Sequence, residues 1–118
     1  MKDTLLNPNN FKYIVLSLDL LLSLAIILVI PYTEIDWQAY MQQSETFLNG
    51  ERTYTNIEGG TGPVVYPALH LYVYSALYKL TSNGTNIILA QLIFVFIYLL
   101  NQYVVLSIYD KLIPTDGL

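Results

Sequence analysis

Apolar residues are blocked along the chain rather than spread through it. Tyr13 to Ile30 is almost unbroken, Val64 to Leu80 is long and rich in tyrosine, and Ile87 to Tyr109 is the longest run. At about 1.5 Å per helical residue, the first and last runs give helices of roughly 27 and 34 Å, enough for a hydrocarbon core about 30 Å thick. The middle run, at roughly 25 Å, is expected to cross with its tyrosines at the interface. The pattern predicts transmembrane helices at 13–30, 64–80 and 87–109. It leaves a tail at 1–12, a loop at 31–63, a turn at 81–86 and a second tail at 110–118. The fold class expected is an all-α membrane protein.

A shorter period runs inside the first loop. Trp37, Tyr40, Met41, Phe47 and Leu48 recur at the i, i+3, i+4 spacing, with Ser44 completing it, which predicts an amphipathic helix from about Ile35 to Asn49. With Asp36 at 0° and about 100° per residue, the stripe covers about 20–140°. Its apolar face suits a helix lying on the membrane surface. Asn49-Gly50 supplies the stop. Glu51 to Pro63 reads as irregular. Its Gly59-Gly60-Thr61-Gly62-Pro63 end lacks the Gly-Lys-Ser/Thr of a phosphate-binding loop.

Composition strengthens the membrane reading: 54% of the 118 residues are hydrophobic and 12% charged, against about 25% charged in soluble domains. There are no cysteines, so thiolate and disulfide chemistry is excluded. The net charge is −4, and no nucleic-acid partner is expected. Five of the nine acids, Glu34, Asp36, Glu45, Glu51 and Glu58, lie in the first loop, while Lys2 and Lys12 precede the first span and Lys79 ends the second. Basic residues favour the cytoplasmic side, which puts the first tail in the cytosol and the acidic loop outside it. On the three-span pattern the Asn83-Gly84-Thr85 glycosylation sequon falls in the cytosol, unused.

Asp36 is the main chemical candidate. Beside the apolar stripe it would sit near the lipid boundary, where a partly desolvated carboxylate is a stronger base. Thr33-Glu34-Ile35-Asp36 also fits the helix-capping pattern, and the two roles are compatible. Glu34 and Asp36 form an acid-x-acid pair, but residues two apart on a helix diverge by about 200°, so a metal site is disfavoured. Asp19, inside the first span, is expected to seek a hydrogen-bonding partner, and Gln91, Asn101 and Gln102 to bond between helices. His70, the only histidine, is four residues after Tyr66 on the same helical side and reads first as a packing residue, with substrate contact second. Arg52 and Lys79 read as solvated charges.

Two blocks flanking the loop carry a resemblance. Tyr32-Thr33-Glu34-Ile35-Asp36-Trp37-Gln38-Ala39-Tyr40-Met41 with Phe47-Leu48-Asn49-Gly50, and Thr61-Gly62-Pro63-Val64-Val65-Tyr66-Pro67-Ala68, resemble the dolichyl-phosphate-mannose-dependent α-1,3-mannosyltransferases of the endoplasmic reticulum. Tyr72 to Tyr78, Gly84-Thr85-Asn86, Ala90-Gln91 and Ile93-Phe94 extend the likeness. The resemblance implies the N-terminal portion of a GT-C multi-span fold, expected to be inactive alone, with the acidic loop in the lumen. It implies a dolichyl-phosphate-mannose donor, a Man5GlcNAc2 dolichol-linked acceptor, the lipid bilayer as surroundings, and no metal or other cofactor. It makes Asp36 the catalytic base, with Glu34 and Trp37 as positioning neighbours; Tyr66 and His70 complete the expected substrate-binding set. Without it, a non-catalytic accessory membrane protein binding a partner through the loop helix is the competing reading.

Overall fold

The computed structural model describes residues 8–33 and 36–112. In chain order they form α1 (Pro8–Val29), α2 (Asp36–Leu48), a 3-10 turn (Tyr54–Asn56), β1 (Glu58–Gly59), β2 (Gly62–Pro63), α3 (Ala68–Leu80) and α4 (Ile87–Leu112). They divide into two compact units, one ending at Pro31 and resuming at Gln91, the other comprising Tyr32–Ala90.

In the first unit α1 and α4 run antiparallel. Lys12 Nζ meets Asp110 Oδ2 at 3.0 Å and donates to Ser107 Oγ at 3.3 Å. Seven residues further along α1, Asp19 Oδ2 accepts from Gln102 Nε2 at 3.1 Å and Tyr98 Oη at 3.2 Å, so the pairing moves back along α4 by eight residues. An intramembrane acid is costly unless paired, and Asp19 finds the interhelical amide expected of Gln102. Leu21, Leu22, Ile26 and Leu28 of α1, with Ile88, Phe96 and Ile97 of α4, stay exposed. These two helices are long and apolar enough to cross a bilayer, and their bare apolar surface suits non-aqueous surroundings.

The middle apolar run falls short of spanning length. Residues 64–67 are not helical, and α3 begins only at Ala68. Pro67 is the N-cap, with an extended ψ of 156°, and its ring disfavours helical backbone at Tyr66 before it. The remaining 13 residues extend about 20 Å, against a core about 30 Å thick. Two helices, rather than the expected three, have spanning length among the described residues.

The second unit is a helical pair with a small hairpin. The apolar stripe of α2 does not lie on lipid, as its periodicity suggested. Trp37, Met41 and Ser44 are buried, and Tyr40 and Phe47 are half-buried, because α3 packs along that face. Ile57, Val64 and Leu71 form a buried cluster closed by Phe47. The segment expected to be irregular contains an antiparallel pair with Glu58 opposite Pro63 and Gly59 opposite Gly62. This hairpin is fastened to α2: Gln42 Oε1 accepts from Gly60 N at 2.7 Å, and Gln43 Nε2 donates to Gly62 O at 3.0 Å.

Local chemistry closes the helix ends. Arg52 is not simply solvated: its Nη1 donates to the Phe47 carbonyl at 2.7 Å and its guanidinium lies 4.3 Å from the Phe47 ring centroid. A cation there also suits the negative end of the α2 dipole. Glu51 Oε1 accepts from the backbone N–H groups of Thr53 and Arg52, both at 2.8 Å, and these bonds lower its pKa. Asn86 Oδ1 accepts from Leu89 N at 3.1 Å, capping α4.

Gly59 fixes how closely hairpin and helix approach, since an added Cβ would overlap the Ala39 carbonyl oxygen. Gly59→Ala is therefore expected to destabilise the Tyr32–Ala90 unit by about 1–3 kcal/mol through overpacking against backbone. Gly60→Ala, whose Cβ would make an ordinary 3.6 Å contact with Gln42, should cost far less. Denaturant unfolding of the detergent-solubilised variants followed by Trp37 fluorescence checks the contrast.

Candidate active site around Asp36 and Tyr40

Asp36 is the first residue of α2 and is exposed. The apolar stripe beside it, the source of the expected lipid boundary, is covered by α3. Glu34 and Ile35 lie outside the described residues, and with them the capping position and the acid-x-acid pair. Asp36 borders an aromatic cluster instead. One turn along α2, Tyr40 packs edge-on against Tyr66, His70 and Tyr74, with centroids at 5.7, 4.8 and 4.8 Å. His70 lies between Tyr66 and Tyr74, at 4.3 and 4.4 Å and inclined by about 30° to each.

This arrangement follows from spacing. His70 and Tyr74, four residues apart, stack along the face of α3 that α2 covers, and Tyr66, in the non-helical segment before α3, lays its ring against His70. Tyr40, four residues after Asp36, carries that helix edge into the stack. Its hydroxyl shares a 3.2 Å hydrogen bond with Tyr66 Oη. That bond, then burial, then the negative charge of Asp36 raise the Tyr40 pKa well above the ordinary tyrosine value, so the phenol stays protonated at neutral pH. Tyr40 and Tyr74 are thus site residues absent from the sequence-based set; the i+4 spacings from Asp36 and His70 were the available signal.

Trp37 stands apart from the exposed surface. It is buried, and its Nε1 donates to the Gly84 carbonyl at 2.9 Å. Its ring is 6.2 Å from that of Tyr74. The indole N–H is already engaged within the protein, so Trp37 serves the site by fixing α2 against the α3–α4 turn. A cavity of about 550 Å³ lies beside Trp37, with Gln38, Gln42, Glu45 and Tyr78 in its wall. Gln38, Gln42 and Glu45 sit about 180–240° around α2 from Asp36, which separates this cavity from the aromatic cluster.

Geometrically, the Asp36 edge offers an exposed carboxylate able to accept a proton and, beside it, a tyrosine-lined surface able to stack on a sugar face and hydrogen-bond its hydroxyls. Burial lowers the His70 pKa below 6.5, favouring the neutral ring. Its Nδ1 is buried with no partner among the described residues. Because the folded pKa lies below the unfolded value of about 6.5, acidification protonates the unfolded state first. The neutral ring's contribution is therefore complete above about pH 6.5 and is lost as the pH falls toward the folded value. The thermal midpoint of the Tyr32–Ala90 unit should decline between pH 7.5 and 5, and His70→Phe should remove most of that decline. The lowered pKa of Glu51 acts separately, below its ordinary 4.5. An unchanged decline in His70→Phe would refute this assignment.

Comparison with known proteins places the chain in a family. The family model described as ALG3 protein matches residues 13–115. A relative from Drosophila melanogaster, the dolichyl-P-Man:Man5GlcNAc2-PP-dolichol alpha-1,3-mannosyltransferase l(2)not2, is 48% identical over 92% of this chain and 25% of its own length. The corresponding alpha-1,3-mannosyltransferase of Neurospora crassa is 54% identical over 77% of this chain and 21% of its own. That of Mus musculus is 49% identical over 70% and 19%. The chain thus spans about a quarter or less of the length of these curated relatives. No solved structure matches it. With the family match embracing both the Asp36 helix and the tyrosine-bearing helix that covers it, the chain belongs to the ALG3 protein family.

Proposed function

We propose that this chain forms the amino-terminal part of an α-1,3-mannosyltransferase of the endoplasmic reticulum membrane. The enzyme would move mannose from dolichyl-phosphate-mannose to Man5GlcNAc2-PP-dolichol, in lipid-linked oligosaccharide assembly for protein N-glycosylation. The observation carrying this reading is the match over residues 13–115, together with 48–54% identity to proteins bearing that activity in their names.

In this reading Asp36 is the general base. Its carboxylate takes the proton from the acceptor hydroxyl as that oxygen attacks the anomeric carbon of the donor mannose. The bond from that carbon to the phosphate oxygen breaks, and dolichyl phosphate departs with the bonding pair from the opposite face. A single displacement inverts the centre, so a β-linked donor gives an α product. Tyr40 and Tyr66 flank the base and would orient a sugar, while His70 holds both rings in place. Cations for the donor phosphate would come from Lys79, which is exposed, or from elsewhere in the enzyme. Among the described residues, Arg52 is committed to the end of α2 and Lys12 to Asp110. The accessory-protein reading loses its main support, because Trp37 and Phe47 face α3 rather than a vacant surface.

Two spans also change the sidedness we propose. The ends of α1 and α4 that meet at Lys12 and Asp110 share one side of the bilayer, and Lys111 falls there too, as basic residues favour. Residues 31–86, including Asp36, α3 and the Asn83 sequon, then lie together on the luminal side. Single cysteines placed at Asn9 and Asn83, in a chain with no native cysteine, should be labelled by an impermeant maleimide from opposite faces of sealed microsomes. Labelling from the same face would restore the three-span arrangement.

The activity itself is tested in microsomes carrying a full-length parent enzyme. Asp36→Asn should lower mannosyl transfer by about 10²–10⁴-fold, while Glu45→Gln, on the far side of α2, should leave it near normal. Ordinary turnover in Asp36→Asn would remove the base from the mechanism.

A further inference from the structure

The cavity beside Trp37 has no part in the site around Asp36. Its volume, about 550 Å³, lies within the roughly 300–1,000 Å³ of small-molecule sites. Gln38, Gln42 and Glu45 recur at i, i+4 and i+7 along α2, so they share one side of that helix. A polar stripe of this kind ordinarily faces open solvent. Here Tyr78 of α3 and Asn83 of the α3–α4 turn stand beside it, and Trp37 completes the wall. Three parts of that wall are tied in place by separate bonds. Trp37 Nε1 donates to the Gly84 carbonyl at 2.9 Å. Gln42 Oε1 accepts from Gly60 N at 2.7 Å, which leaves both of its amide N–H groups for another partner. Glu45 accepts from the Tyr78 hydroxyl and so fixes that ring. Walls already held in place reduce the ordering cost of binding.

The lining selects the ligand. Among the described residues it contains no lysine, arginine or histidine, so a phosphate or carboxylate finds no counter-charge there. Its one carboxylate, on Glu45, is engaged with Tyr78. The amides of Gln38, Gln42 and Asn83 offer donors and acceptors together, beside the apolar ring faces of Trp37 and Tyr78. An acyl chain would leave those amides unpaired, at a cost. We infer that this cavity is a carbohydrate site, separate from the Asp36 edge, that takes a neutral hexopyranose. The sugar's hydroxyls meet the three amides, and its ring face lies on the aromatic wall. The stripe is about 180–240° around α2 from Asp36, and a helix with its side chains is about 10–12 Å across. One arm of a branched oligosaccharide can therefore occupy the cavity while another reaches Asp36. That link rests on the proposed activity; the carbohydrate class rests on the lining alone.

The test titrates the full chain with mannotriose, in a detergent bearing neither sugar nor choline, and reads the emission of Trp37, its only tryptophan. The emission should change saturably, and neither sorbitol, a polyol without a ring, nor choline should reproduce the change. Gln38→Ala, at an exposed position where alanine suits a helix, should raise the half-saturating concentration about fivefold, as for one hydrogen bond of typical strength. Asp36→Asn should leave it unchanged, so the cavity and the proposed base fail separately. No saturable response, or an equal one from sorbitol, would overturn the inference. Saturation by choline instead of mannotriose would overturn it in favour of an aromatic cage for a cation. Binding lost in Asp36→Asn and kept in Gln38→Ala would overturn it by moving the sugar to the Asp36 edge. The source of the sugar is read in microsomes carrying a full-length parent. There, Gln38→Ala should raise KM for the lipid-linked acceptor about fivefold at unchanged kcat where the cavity holds an arm of that glycan. An unchanged KM beside intact mannotriose binding assigns the cavity to a soluble oligosaccharide.

Discussion

The hydrogen bond from Trp37 Nε1 to the Gly84 carbonyl ties the first turn of α2 to the turn leading into α4, 47 residues away. Much of the second unit takes its register from it. The carbonyl is presented by successive left-handed residues, Ser82, Asn83 and Gly84, with φ of 54°, 59° and 81°. At Gly84 a side chain would collide with Met41. Once the indole is seated there, Tyr40 and Ser44 turn toward α3, Gln42 and Gln43 toward the hairpin, and Glu45 toward the side where it hydrogen-bonds Tyr78. Burial and that carboxylate raise the Tyr78 pKa. The motif tryptophan therefore contributes to the site by setting the rotation of the helix that carries Asp36.

What the sequence made legible was which residues share a face, rather than what covers that face. Trp37, Tyr40, Met41, Ser44 and Phe47 do form one stripe, because helical period is local and survives any packing. Lipid and a second helix are both apolar, so period alone could not choose between them. The same ambiguity hid α3. Seventeen largely apolar residues from Val64 to Leu80 read as a span, although Pro67 was a local sign of a late helix start; the partial burial of Tyr74 and Tyr78 under α2 is a tertiary fact. Asp19 and Gln102 were legible because a polar group inside an apolar run has few solutions. The Lys12–Asp110 pair was not, since its partners sit 98 residues apart at helix ends where solvated charge is the default. The two-residue strands lie below any periodic signal, and their glycines read simply as turns.

The α2–α3 pairing also gives an acidic loop a packed core of its own. Its acids are distributed between local anchoring and open surface: Glu51 collects the backbone N–H groups of the turn, and Glu45 holds Tyr78. The apolar cost of ordering the loop is met internally by Ile57, Val64 and Leu71, all nearly inaccessible to solvent. Hydrophobic burial fixes the scaffold, and the chemistry sits on its rim.

That placement constrains how Asp36 could serve as a base. An exposed carboxylate is well hydrated, and that water has to leave before a substrate hydroxyl can come within reach. The sequence reading took its desolvation from the lipid boundary, and the structure withdraws that source by burying the neighbouring stripe under α3. Water has to be displaced from Asp36 by something that arrives, and the Tyr40–Tyr66 edge is a ready surface for a sugar ring to do so. On this view the base would strengthen only when the acceptor is seated, since the same ring that brings the hydroxyl within reach also excludes the solvent. A static aromatic wall beside an open carboxylate then makes chemical sense: one side of the pocket is prepared by the protein, and the substrate completes the other.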